Sequence, residues 1–88
     1  MKTFDRGTTV EITSKLDDSN PTSVKISIAD PDSTAKVAAA TMTASDDGYE
    51  YTYYWQSATD DEVGTYTITI DVVKGSYTSK SKSTFALE

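Results

Sequence analysis

Hydrophobic and polar residues alternate most regularly over residues 62–72. Tyr66, Ile68, Ile70 and Val72 fall on one side of an extended chain, and Thr65, Thr67, Thr69 and Asp71 on the other, because successive side chains of a strand point to opposite faces. The same period recurs elsewhere. Lys2 to Asp5 reads as a short first strand anchored by Phe4 and broken by Arg6-Gly7. Thr8 to Leu16 sets Val10, Ile12 and Leu16 against Glu11, Thr13 and Lys15, and Thr22 to Ala29 sets Val24, Ile26 and Ile28 against Ser23, Lys25 and Ser27. Both patterns predict half-buried strands. Asp17-Asp18-Ser19-Asn20-Pro21 forms the turn between them. Asp30-Pro31-Asp32-Ser33 ends the second, since Pro31 has a fixed φ and biases Asp30 away from helix.

Ala35 to Ala44 mixes two signals. Lys36-Val37-Ala38-Ala39-Ala40 has high helix propensity. Thr41-Met42-Thr43 and the hairpin turn signal Asp46-Asp47-Gly48 favour extended chain instead. The balance predicts an edge strand with Val37 or Met42 as its apolar contact. In Tyr49 to Gln56, the residues Tyr49, Tyr51, Tyr53 and Trp55 share one face and Tyr54 lies on the other. A polar, acidic loop then leads into the 62–72 stretch, a hairpin turn follows at Lys74-Gly75, and Ser76 to Ala86 closes the chain with Tyr77 and Phe85 in phase. The polar middle of that strand, Ser79-Lys80-Ser81-Lys82-Ser83, fits an edge guarded by lysine against unwanted pairing. Seven short strands without a helix predict an all-β fold, a two-sheet antiparallel sandwich.

Composition supports this. Thr and Ser make up 26 of 88 residues and helix formers are sparse, which suits a pleated, half-solvated surface. No cysteine is present, so no disulfide assists a domain that buries only about 60–70% of its unfolded surface. The aromatic rings must supply much of the core, at roughly 2–3 kcal/mol for each ring buried. The expected domain is 1–86, with Leu87-Glu88 reading as a vector remnant ahead of a tag. The chain is then one module of a longer protein whose targeting signal lies outside it.

Several chemistries drop out. The absence of histidine and cysteine excludes Ser-His and Cys-His nucleophiles and the common zinc sites. The acid groups Asp46-Asp47 and Asp60-Asp61-Glu62 fall in predicted turns, where carboxylates are solvated, so no catalytic residue and no enzyme activity is expected. A net charge of −6 disfavours nucleic acid and anionic membranes as partners. No apolar run is long enough to cross a membrane as a helix. Asn20, the single asparagine, precedes proline in a turn and gives little support to a Lys-Asn crosslink.

Two candidate sites survive. Asp30 and Asp32, with Ser33 and Thr34, space oxygens as calcium ligands, although Ala35 and Thr41 stand where a helix-loop-helix calcium loop has glycine and glutamate. A looser metal site would draw on Asp60, Asp61 and Glu62 with Asp17 or Asp18. The competing reading is that these acids cap their own turns. Exposed aromatics offer the second candidate, a sugar-stacking surface from Tyr54, Trp55 and Tyr77. Because Tyr49, Tyr51, Tyr53 and Trp55 are needed for the core, Tyr54 and Tyr77 are the residues left to bind.

Glu62-Val63-Gly64-Thr65-Tyr66 resembles the acidic-x-Gly-x-Tyr corner that opens the sixth strand of immunoglobulin-like (Ig-like) modules in bacterial and archaeal surface proteins. Phe4-Asp5-Arg6-Gly7-Thr8-Thr9-Val10, Asp30-Pro31-Asp32 and Phe85 support the resemblance. It implies structural roles for Gly64 and Tyr66, the tyrosine hydroxyl bonding back to nearby backbone. Ile68 stands where antibody domains carry cysteine, and Trp55 lies in the fifth strand rather than the third. Macroglobulin-like and fibronectin-like variants therefore fit equally well. The resemblance implies a non-catalytic structural or adhesion module, extracellular or at the cell surface and monomeric in isolation. Its partners are neighbouring domains of the parent protein and a surface protein or glycan. The alternatives are a carbohydrate- or protein-ligand-binding module, a calcium-stabilised spacer, and a virion or phage-tail decoration domain.

Overall fold

The structure, a computed structural model, describes residues 2–16 and 21–88; Asp17, Asp18 and Asn20 lie outside the described residues. It is all-β, with strands β1 (Lys2–Phe4), β2 (Thr9–Lys15), β3 (Ser23–Ala29), β4 (Ala35–Thr41), β5 (Thr43–Ala44), β6 (Glu50–Gln56), β7 (Gly64–Lys74) and β8 (Tyr77–Leu87). One sheet has the order β1-β8-β7-β3-β4 and the other β2-β6-β5. A single apolar cluster draws on both, with Val10, Ile12 and Trp55 from the smaller sheet and Val24, Ile26, Ile28, Tyr66, Ile68, Ile70, Phe85 and Leu87 from the larger.

The 62–72 alternation becomes β7, the centre of the larger sheet. It pairs with β3 from Thr67 to Val73 and with β8 along its whole length. Tyr66, Ile68 and Ile70 are buried as the alternation predicts, while Val72 is half-buried where the core thins.

Three expectations change. The single strand expected over Ala35–Ala44 is two, so the described residues form eight strands rather than seven. Between the pairs Ile28↔Val37 and Ile26↔Ala40, two residues of β4 face Ser27 alone. Ala39 takes up the extra length at a φ of 52°, and its N–H donates to Ser27 Oγ at 3.1 Å in place of a ladder bond. Such a bulge bends an edge strand. At Met42 the chain leaves this sheet, its N–H still held by the Val24 carbonyl at 3.1 Å, and β5 joins β6 in the other sheet. Val37 and Met42 are both buried, so both serve as apolar contacts.

The sheets are also not wholly antiparallel, because β1 runs parallel to β8. Ser57, whose role was not foreseen, holds the turn that follows β1. Its hydroxyl accepts from Gly7 N–H at 3.0 Å and donates to the Thr8 carbonyl at 2.7 Å. Third, of the four aromatics expected inside, Trp55 is buried, Tyr51 and Tyr53 are half-buried against the cluster, and Tyr49 is 46% exposed. Tyr49 precedes β6 and belongs to the hairpin turn, where its N–H donates to Asp47 Oδ1 at 2.9 Å, so the strand alternation has not yet begun.

The last strand includes Leu87. Leu87 is 1% exposed and pairs with Phe4, while Glu88 N–H donates to the Phe4 carbonyl at 2.9 Å. Apolar contact and ladder bonds make Leu87 part of the core. At the other end of β8, Tyr77 shares the phase of Phe85 yet is 79% exposed.

Ala39 pays for its left-handed conformation in steric strain that glycine would not feel. Ala39→Gly is expected to raise stability by about 1 kcal/mol, read as a higher midpoint in urea. A loss of stability would show that the bulge is not held at this residue.

Candidate functional site

Two loops meet at one end of the molecule, the turn from Asp30 to Thr34 and the β6–β7 connection from Ser57 to Val63. Asp30 organises the first. Its Oδ1 accepts from Asp32 N–H at 2.9 Å and Thr34 N–H at 2.8 Å, and its backbone closes the turn in both directions. This is the backbone-capping role that aspartate favours in turns.

The second loop docks on it through Gly64. Gly64 has a φ of 142°, and a β-carbon there would stand 2.9 Å from Pro31 Cγ. Glycine is required on both counts, strain and space. Two residues later Tyr66 enters β7 fully buried, and its hydroxyl donates to the Glu62 carbonyl at 2.7 Å. The ring stacks on Phe85 with centroids 5.3 Å apart and lies 5.5 Å from Trp55. Burial and the surrounding acids, Asp61 first among them, push the Tyr66 hydroxyl above the usual phenol range, so it stays a donor.

This corner brings Glu62 over the other turn. One carboxylate oxygen from each of Asp30, Asp32 and Glu62 lies within 4.8 Å of the others. A hydrogen bond shared with Asp32, with some desolvation and the charges of Asp32 and Asp30, raises Glu62 above the ordinary glutamate value. These oxygens are spaced as around a calcium ion, whose Ca–O distances are about 2.3–2.6 Å.

The other expected ligands do not join them. Asp60 stands outside the group. Asp61 turns back into its own loop, where its Oδ2 accepts from Ala58 N–H at 2.6 Å and its Oδ1 meets Lys36 Nζ at 3.2 Å. That hydrogen-bonded ion pair raises the Lys36 amine above its usual value. Lys36 was read only as part of a helix-prone segment; nothing in its local sequence signals the pairing, because its partner is 25 residues away.

The aromatic surface is not assembled. Trp55 is buried, and Tyr54, 63% exposed, lies on the outer face of the smaller sheet opposite Glu11, whose charge and hydrogen bond raise its hydroxyl. Tyr77 lines a separate groove on the larger sheet with Ile70 and Val72. Asp46 and Asp47 stay in the β5–β6 turn, where Asp47 accepts from Ser45 Oγ and Tyr49 N–H, bonds that hold its carboxyl below the usual range.

No protein-family model, curated protein or solved structure matches this chain.

The corner can be dissected by substitution. Tyr66→Phe removes one hydrogen bond and is expected to cost about 1 kcal/mol. Tyr66→Ala leaves a cavity among Trp55 and Phe85 and is expected to cost about 3–5 kcal/mol. Equal losses in denaturant melts would assign the effect to the hydroxyl and not to the ring.

Proposed function

We propose that this chain is an Ig-like sandwich that serves as a structural or adhesion module within a larger secreted or cell-surface protein, and that it performs no catalysis. The tyrosine corner supports the class, since a buried tyrosine opening a central strand and bonding to backbone four residues upstream is characteristic of it.

The observation that carries the structural role is the parallel pairing of β1 with β8. Chain entering at Lys2 and chain leaving at Leu87 pull in opposite directions along paired strands. Tension from neighbouring domains therefore loads the β1–β8 bonds in shear, together with the Arg6 N–H to Glu88 carbonyl and Glu88 N–H to Phe4 carbonyl bonds. All must break together, whereas a peeled strand loses them singly.

Single-molecule pulling on a tandem array tests this. Pulled through its termini, the domain is expected to unfold at higher force than when gripped at positions 63 and 88, which peels β8 from β7 pair by pair. Removing residues 2–4 is expected to lower the terminal force. Equal forces in the two geometries would refute a tension-bearing role.

A calcium-stabilised spacer is the second reading, favoured by the convergence of Asp30, Asp32 and Glu62. A raised Glu62 pKa means that the folded state binds this proton more tightly than the unfolded state. The stabilisation is therefore complete below the unfolded pKa and is lost as pH rises through the folded one. The melting temperature of wild type relative to Glu62→Gln is expected to fall as pH rises from the carboxylate range to neutrality. Calcium at neutral pH is expected to restore it in wild type and not in the variant, by mass action. No calcium effect on the wild-type melt would remove this reading.

A further inference from the structure

β1 covers β8 only from Phe85 to Leu87. From Tyr77 to Thr84 the edge of β8 away from β7 has no strand paired to it among the described residues. Exposed backbone donors and acceptors along such an edge are a template for another strand. Beside this edge lies a groove of about 490 Å³, bordered by Leu16, Pro21, Ile70, Val72 and Tyr77. Its β8 wall is small and polar, Ser79 and Ser81, where core-facing strand positions elsewhere carry bulky apolar residues.

Among the described residues, the charged side chains that line it are lysines. Lys15, Lys74 and Lys80 line the groove. Lys82, opposite Thr69, follows Lys80 on the outer face of the same strand. Four of the eight basic residues of a chain with net charge −6 thus gather at this edge. Glu50 lies 3.9 Å from Lys15 in an exposed, weak pair, and Lys80 reaches Asp71 Oδ1, a buried oxygen without a hydrogen bond, at 3.5 Å. Two such edges from identical chains would set lysine against lysine, which disfavours a second copy as the occupant.

We propose that the Tyr77–Thr84 edge of β8 receives an extended acidic segment of another polypeptide by strand addition. The added strand alternates. Apolar side chains turn inward to cover Ile70, Val72 and Leu16, and glutamate or aspartate turns outward beside Lys80 and Lys82. Main-chain bonds supply affinity and the alternating side chains supply selectivity, as in other strand-addition sites. The inference rests on strand order and lysine placement, and does not depend on the Ig-like assignment.

The test uses the intact chain and two synthetic peptides, one alternating valine with glutamate and one alternating valine with lysine. Amide chemical shifts and hydrogen exchange locate binding. The expected result is that the glutamate peptide binds, protects amides between residues 78 and 84 and shifts Tyr77. The lysine peptide is expected not to bind. Lys80→Glu/Lys82→Glu is expected to weaken the glutamate peptide about tenfold, since each cross-strand charge pair changes sign, while the core amide spectrum stays unchanged. Lys80→Gln/Lys82→Gln, a milder change in the same strand, is expected to fall between. Equal binding of both peptides, protection at β2 or β4 instead, no binding at low salt, or a homodimer formed through β8 without peptide would each overturn the proposal.

Discussion

The hydrogen bond from the Tyr66 hydroxyl to the Glu62 carbonyl is the constraint on which this structure turns. A phenol inside a core is tolerable only if its polar end is satisfied, and here the partner is four residues upstream in the same chain. That one bond sets where the β6–β7 loop ends and where β7 begins. It also fixes the ring between Trp55 and Phe85, which joins the two sheets at their best-packed end. The acids of the loop are positioned as a consequence, because Glu62 gives its carbonyl to the corner and its side chain to the Asp30 turn.

The two ends of the molecule are built differently. Around Tyr66, rings and branched chains from both sheets close on each other, and Phe4 meets Phe85 edge to face with centroids 5.7 Å apart. Toward the β7–β8 hairpin the inward positions of β8 become Ser83, Ser81, Ser79 and an exposed Tyr77. Serine contributes little to a core, so cohesion there falls to β7, β3 and Leu16. The same chemistry that weakens this end leaves an accessible edge and groove, whereas the well-packed end carries the parallel β1–β8 pairing.

Lysine at residues 80 and 82 acts in two directions. Against an identical strand it repels. Against an acidic strand it attracts. An edge can therefore be protected and receptive at once, depending on the charge of what approaches it.

How much could be read in advance follows from the range of each interaction. Local alternation located nearly every strand, because the side-chain period of extended chain is a property of consecutive residues. The corner was legible for the same reason, since Glu62, Gly64 and Tyr66 lie within five residues. Asp30 as a turn former was also local. The exceptions were non-local. Ala35–Ala44 gives no sign that Ser27 would draw it into a bulge or that Met42 would change sheets. The sequence placed Asp30 and Asp32 in one candidate site and Asp60, Asp61 and Glu62, with Asp17 or Asp18, in another, and only packing of Pro31 on Gly64 brought Glu62 to Asp30 and Asp32 while Lys36 drew Asp61 away. By itself the sequence determined an all-β chain, its turns and its tyrosine corner, all set by neighbours along the backbone. Tertiary structure decided which strands pair, that β1 lies parallel to β8, that Leu87 is core and which acids meet, because those depend on residues that only the folded sheets bring together.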